Sequence, residues 1–357
     1  MTATLSPKPT QPGAHVHVRG AERRTRAGLV GAGLWLLLAA SLVLAMQFGA
    51  ESVSLSRALS QPDSLDRTIV LAARLPRVAL AALAGASLAG VGVAFQALLR
   101  NPLADPYVLG VSGGAAAGAT LALVSGVNAF SLFGAAFVPL AALLGGLCAT
   151  LLVYAIARAG GEVSGTTILL AGVIVNSIAT AVITFIKTLV SASKAQELLF
   201  WLMGFLDVPS GKQLAMTSFF VVVGMSMLLW DAGRMNLLAL GREPAAHLGI
   251  EVGKLERRMF FAASAVAGAI VSLTGLIGFV GLIVPHAARR LVGSDHRRVL
   301  PASLLLGATT LVLCDVLVRL AFRWLETEPP VGAMTALIGG PTFLLLLYRT
   351  RQQRTFV

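Results

Sequence analysis

The chain has 357 residues, of which 56% are hydrophobic and only 12% charged, and its formal net charge is +12. So much apolar side chain cannot be buried inside a water-soluble protein of this length, and a mean hydropathy of +0.83 agrees. The basic excess would suggest nucleic acid, but the charges fall between apolar runs, where a membrane accounts for them and nucleic acid does not.

An α-helix rises about 1.5 Å per residue, so roughly 20 apolar residues cross the hydrocarbon core. Residues 1–27 form a polar tail carrying Lys8, Arg19, Arg23, Arg24 and Arg26, expected to be disordered and cytoplasmic. The first apolar run follows at 28–48; its length and its long polar lead argue for an uncleaved helix and against a signal peptide. Further helices are predicted over 76–98, 107–126, 132–157, 166–189, 213–231, 257–277, 280–293, 299–322 and 332–348. The third is short and rich in glycine. The seventh and eighth divide one long apolar stretch, because Gly275, Gly278 and Gly281 interrupt it just after Thr274. The expected fold class is therefore an all-α polytopic membrane protein of about ten transmembrane helices. One membrane domain spans 28–349, and a short cytoplasmic tail occupies 350–357.

With the N-terminus inside, the cytoplasmic segments hold 19 of the 28 Lys and Arg residues, while the acids divide evenly. That bias in basic residues alone is what the positive-inside rule requires. An even number of helices returns the C-terminus to the cytoplasm.

Catalytic constellations are missing from the sequence. The five histidines are scattered, Cys148 and Cys314 sit in apolar runs as small side chains expected to be buried, and no phosphate-binding Gly-x-x-x-x-Gly-Lys-Ser/Thr loop occurs. No cofactor and no metal is expected to be bound. Asp315 is the one acid deep in an apolar run, and Arg319, four residues on, shares its helical face and can pair with it. Gln96 and Asn176 are polar residues within helices, suited to interhelical hydrogen bonds. A secondary transporter would need coupling-ion ligands at membrane depth, and a membrane enzyme an acid, His or Cys cluster; neither pattern is present.

Four segments carry the remaining information. Arg100-Asn101-Pro102-Leu103-Ala104-Asp105-Pro106 is a two-proline cytoplasmic loop. Residues 241–252 form the longest cytoplasmic loop, in which Glu243-Pro244 can open a short helix and Gly249 can close it. Residues 278–290 contain Pro285-His286 and Arg289-Arg290. Residues 330–341 are a helix punctuated by Pro330, Gly332, Gly339, Gly340 and Pro341.

Together these segments resemble the FecCD family, the permease subunits of type II ABC importers for ferric siderophores, haem and cobalamin. The family's Arg-Leu-Pro-Arg matches 74–77, Arg-Asn-Pro-Leu-Ala-Asp-Pro matches 100–106, Leu-Gly-Val-Ser with its glycine pair matches 109–114, and Leu-Leu-Ala-Gly-Val matches 169–173. Gly-Phe-Val-Gly-Leu-x-x-Pro-His matches 278–286, Asp-His-Arg matches 295–297, and Pro-Val-Gly-x-x-Thr-Ala-Leu-Ile-Gly matches 330–339. Two departures are Glu328-Pro329-Pro330 for Glu-Leu-Pro, and Gly339-Gly340-Pro341 for Gly-Ala-Pro.

The resemblance implies a homodimer in the cell inner membrane with a central path between the copies. Two ATPase subunits would use ATP on the cytoplasmic side, and a separate substrate-binding protein would dock outside. It implies that Arg242, Glu243, Pro244, Ala245, Ala246, His247, Leu248 and Gly249 couple to the ATPase. Asn101, Leu103, Ser164, Thr166 and Thr167 would form the cytoplasmic gate, and Asn176 would line the path. Arg74, Arg77 and Arg319, basic residues on the disfavoured outer side, would meet acids of the binding protein. The cargo implied first is a ferric siderophore, then haem or cobalamin.

Overall fold

The computed structural model describes residues 14–49, 51, 53–125, 136–159 and 165–354. Among these no strand occurs, and each of the ten expected apolar segments contains an α-helix, although 107–110 and 275–277 lie outside theirs. The helices are α1 (Ala14–Gln47), α2 (Leu55–Ser60), α3 (Leu65–Thr68), α4 (Leu75–Leu98), α5 (Val111–Ser125), α6 (Phe137–Ala159), α7 (Gly165–Leu189) and α8 (Ala192–Met203). After them come α9 (Gly211–Leu238), α10 (Arg242–His247), α11 (Val252–Thr274), α12 (Val280–Val292), α13 (His296–Leu325) and α14 (Val331–Arg354).

Two tail expectations are corrected. α1 starts at Ala14, so residues 14–27 are helical, and α14 runs on to Arg354. Both extensions follow local propensity: no proline follows Pro12 in the first, and Ala, Glu, Arg and Gln are good helix formers. Residues 1–13, 355–357 and the expected helical start at 132–135 lie outside the described residues.

The core is built around α4, buried almost all the way round from Val78 to Leu98. A π turn over Ile69–Arg74 feeds it, and Pro76 sits in its first turn, where a missing N–H costs nothing. It packs on α13, α11, α12 and α9. Small residues permit this. A side chain on Gly85 would overlap the Gly307 carbonyl of α13, and one on Gly92 the Gly281 carbonyl of α12. α5 and α6 meet in the same way through Gly114, Gly118 and Gly145. By contrast α1, α7 and α14 present apolar faces outward, including Trp35 and Leu36, Ile174, Ile178 and Phe185, and Leu337 and Leu344. Cys148 on α6 is exposed on such a face, against the expectation of burial; Cys314 is buried.

Two breaks shape the interior. α11 ends at Thr274 and α12 begins at Val280, as the glycines suggested; Gly275 (φ 64°) and Phe279 (φ 68°) take the left-handed conformations that turn the chain. After α4, the loop with Pro102 and Pro106 does not stay at the helix end. A Cβ on Gly281 would lie 2.9 Å from both the Leu88 carbonyl oxygen and Pro106 Cγ. Leu88 is near the middle of α4, so Pro106 has climbed back to that depth. A single 3₁₀ turn, Pro106–Leu109, then opens α5. This explains why the third span is so short. α8 lies between the expected helices 166–189 and 213–231. It is a 12-residue amphipathic helix capped by Ser191, too short to cross the bilayer.

Candidate functional site

At the cytoplasmic end, as the charge bias orients the molecule, α10 stands out between two long helices. Gly241 (φ 122°) opens it and Gly249 (φ 82°) reverses the chain after it. Ala245 is fully buried and anchors the element, with its carbonyl accepting the Ile250 N–H at 3.1 Å. Arg242 braces it to α11 through Glu256, at 3.1 Å. Glu243, Pro244, Ala246, His247, Leu248 and Gly249 are all exposed, Leu248 by 58%. Eight residues expected to act together therefore divide into two braces and a six-residue outward surface. Nearby, Asp231 is buried between Arg234 and Arg258, locking α9 to α11. Asn236 joins α9 to the start of α13, donating to Asp295 at 2.6 Å and accepting from the His296 N–H at 2.9 Å. Partial burial pushes the Asp295 carboxyl up. The Asn236 amide, the Arg297 N–H and the charges of Arg297 and Arg298 outweigh it and hold the group below the usual carboxylate range.

Of the expected gate residues, Asn101 and Leu103 share a turn. Asn101 Oδ1 accepts the Leu103 N–H at 2.9 Å in a tight turn, leaving Leu103 48% exposed. The first residue of α7, Gly165, packs directly against Leu99, so a Cβ there would lie 3.3 Å from Leu99 Cα. Thr166, exposed, and Thr167 follow Gly165 in α7. Ser164 lies outside the described residues.

Along α7, Asn176 opens onto a hollow of about 560 Å³ lined by Tyr107, Val173, Asn176, Ser177, Thr180 and Ala181, with no charged side chain among them. Asn176 itself is committed to neighbours: Nδ2 donates to the Tyr107 carbonyl at 2.6 Å and Oδ1 accepts the Gly113 N–H at 3.1 Å. The Tyr107 hydroxyl accepts the Ile277 N–H at 2.5 Å, in the α11–α12 break. Gln96 makes a parallel link, donating to the Gly281 and Leu282 carbonyls at 3.3 Å and accepting from Arg289 at 2.6 Å. The sequence reading gave no role to Tyr107. Its only signal was an aromatic residue with a polar tip in an otherwise proline- and glycine-marked stretch.

The outer arginines do not form the docking set expected. Arg74 is buried and donates to the carbonyls of Met46 and Gln47 at 2.6 and 3.0 Å and to that of Glu51. Arg319 is buried too: it donates to the Ala45 and Phe48 carbonyls at 3.0 Å, and its Nε lies 2.9 Å from Asp315 Oδ2, in ion-pair range but outside hydrogen-bond geometry. Arg77 spans Asp315 at 2.9 Å and Glu328 at 3.0 Å. The orphan carbonyls at the end of α1 and a buried carboxylate consume all three cations, which clamp α1, α4, α13 and the last outer loop. Among the basic residues still projecting on that face is Arg57, with 62% of its side chain exposed and Asp66 at 3.0 Å; Lys212 and Arg323 are exposed as well.

The model of the FecCD transport family matches residues 36–349. The chain is 41% identical over 327 residues to the cobalamin import system permease protein of Halobacterium salinarum, covering 91% of this chain and 82% of that one. It is 36% identical over 282 residues to the hemin transport system permease protein of Yersinia pestis, covering 79% and 84%. A solved ABC transporter of metal-chelate type, in an inward-facing conformation, superposes with a TM-score of 0.79 at 32% identity, covering 90% of this chain and 99% of that one.

Proposed function

The chain belongs to the FecCD transport family, and from that premise we propose that two copies form the membrane path of an ABC importer for a bulky metal chelate. It is the permease subunit, and ATP is hydrolysed by two partner subunits seated on the cytoplasmic face. The observation that carries the reading is the family match, which takes in nine of the ten expected spans entirely and most of the first.

In this reading the exposed surface of α10 enters a groove on each ATPase, and its braces to α11 pass on the movement. The turn at Asn101–Leu103 and the start of α7 close the path on the inside; Ser164 is assigned there by family resemblance alone. The hollow beside Asn176 faces the cargo. Its neutral lining suits a large ligand held by shape, with selectivity left to a separate binding protein outside. Docking of that protein passes from Arg74 and Arg319 to Arg57, whose planar fork can take a carboxylate.

A ferric siderophore is the cargo proposed first. Cobalamin is the second reading, favoured by the 41% identity to the Halobacterium salinarum permease. The test is uptake of ferrichrome, haemin and cyanocobalamin by proteoliposomes holding the permease, its ATPase and its binding protein. ATP-dependent entry of one chelate supports the proposal; entry driven by an ion gradient without ATP would overturn it.

A further inference from the structure

Every interior break in a membrane helix leaves amides and carbonyls that need partners. Here the two breaks, the 3₁₀ turn before α5 and the loop between α11 and α12, lie at the same depth and partner each other through one side chain. We propose that Tyr107 is a positioning residue that ties the path helix α7 to the α11–α12 break, so that movement of α10 reaches the path along α11. This rests on the importer reading given above.

The connection is contiguous. α10 is braced to the first turns of α11 by Arg242 and Glu256. α11 is an unbroken rod of 23 residues, about 35 Å long, running from that brace to Gly275. Three residues past its end, the Ile277 N–H has left the helical ladder and donates to the Tyr107 hydroxyl at 2.5 Å. Ile277 itself is fully buried, so that amide has no water to turn to. At its other end, Tyr107 presents its backbone carbonyl to Asn176 Nδ2 at 2.6 Å and to Ser112 Oγ at 2.9 Å. Asn176 closes the connection by accepting the Gly113 N–H on α5. Tyr107 and Asn176 also line the hollow, so the relay ends at the surface where cargo would pass.

The geometry explains why tyrosine suits this position. A phenylalanine would keep the ring, which shares the lining of a small, mostly apolar cavity with Leu88, Pro106, Val111, Ala267 and Val271. Only the hydroxyl reaches the break. A side chain chosen for packing alone needs no oxygen there. A relay needs one, because apolar contacts slide where a buried hydrogen bond fixes register. The break is also held by the segment that follows α8, where the Phe205 N–H donates to the Thr274 carbonyl at 2.9 Å. Tyr107 thus adds to an anchor already in place, and its position decides how the break sits relative to α7.

Spatial continuity is not proof of coupling, so the test asks whether one link affects another that it does not touch. Amide exchange is measured on the full chain in nanodiscs. Tyr107→Phe should speed exchange across 275–279 about fivefold, the equivalent of one hydrogen bond. Asn176→Leu touches none of those residues and should speed their exchange at least about twofold, with Asn176→Ala as a second variant should leucine impair folding. In the assembled importer, cargo delivered per ATP should fall about fivefold in either variant while the melting temperature drops by only about 1–4 °C, the cost of the lost bonds, and the double variant should be no worse in cargo per ATP than the worse single one. Wild-type exchange at 275–279 in the Asn176 variants would overturn the relay. So would unchanged cargo per ATP in Tyr107→Phe, or losses that multiply in the double variant. Absence of ATP-driven uptake by the wild-type importer would instead overturn the importer reading, with the exchange measurements still deciding the relay.

Discussion

Asp315 provides a direct measure of what holds the outer half together. Its side chain is fully inaccessible and faces Arg77 and Arg319, themselves 15% and 5% exposed. Asp315→Leu leaves Arg319 as a buried cation without a counter-charge, which costs about 3–5 kcal/mol. A 357-residue chain with an unfolding entropy of about 2.1 cal/mol/K per residue loses about 1.3 °C for each kcal/mol, so the melting temperature should drop by about 4–7 °C. Arg319→Met removes two bonds to the Ala45 and Phe48 carbonyls and leaves Asp315 with Arg77, a loss of about 2–3 kcal/mol. The double variant removes both charges together. It should lose no more than about the 2–3 kcal/mol of Arg319→Met, so the pair couples by at least about 2 kcal/mol. The assay is thermal unfolding of the permease in nanodiscs at one fixed scan rate, since unfolding of such a protein is read as a rate-dependent midpoint. A double variant depressed by the sum of the two single losses would refute the reasoning. So would Asp315→Leu melting within about 1 °C of wild type.

In a cysteine-free background carrying Cys148→Ala and Cys314→Ala, single cysteines at the exposed positions Ala246 and Ser294 should resist an impermeant thiol reagent added outside sealed cells, and rapid labelling of either would reverse the assigned orientation. Ala246→Trp should abolish co-purification with the ATPase while the permease melts as wild type, because Ala246 projects outward; Ala245→Trp, at a fully buried position, should lower the melting temperature as well. Gly85→Val should force α4 off the Gly307 carbonyl and cost about 3 kcal/mol or more, seen as lost expression, whereas Gly31→Ala on α1, with no neighbouring atom within 4 Å, should stabilise by about 0.5–1 kcal/mol.

Much of the fold was legible because a bilayer leaves so few choices. Apolar length located nine helical stretches and glycine divided one of them near Gly275; among the described residues six of the resulting helices are long and apolar enough to cross a membrane. Length also concealed features. α8 has 12 residues and a half-apolar pattern, below the length that marks a span in the sequence. The 107–126 segment was read as an ordinary helix. Nothing in its composition says that the chain rises in a turn to the depth of Leu88 before Val111 begins the helix; that follows from Pro106 packing on Gly281, 175 positions away.

The candidate site divides along the same line between local and distant chemistry. α10 could be read because Pro244 and Gly249 act on their own neighbours, and the Asp315–Arg319 pair because four residues are one helical turn. Arg74 and Arg77 could not. The positive-inside rule notices a cation on the wrong side but is silent about acceptors elsewhere in the chain, and here these are the Met46 carbonyl, 28 residues back, and Glu328, 251 residues on. An arginine that finds such partners stops being available to another protein. The sequence signal expected for a docking surface, basic residues where the membrane rule disfavours them, therefore marks equally well the internal clamp that closes a helix end. Exposure separates the two cases. By that criterion Arg57 faces outward on the outer surface while Arg74 and Arg319 hold the end of α1 in place, and charge reversal should weaken docking at the first position and folding at the other two.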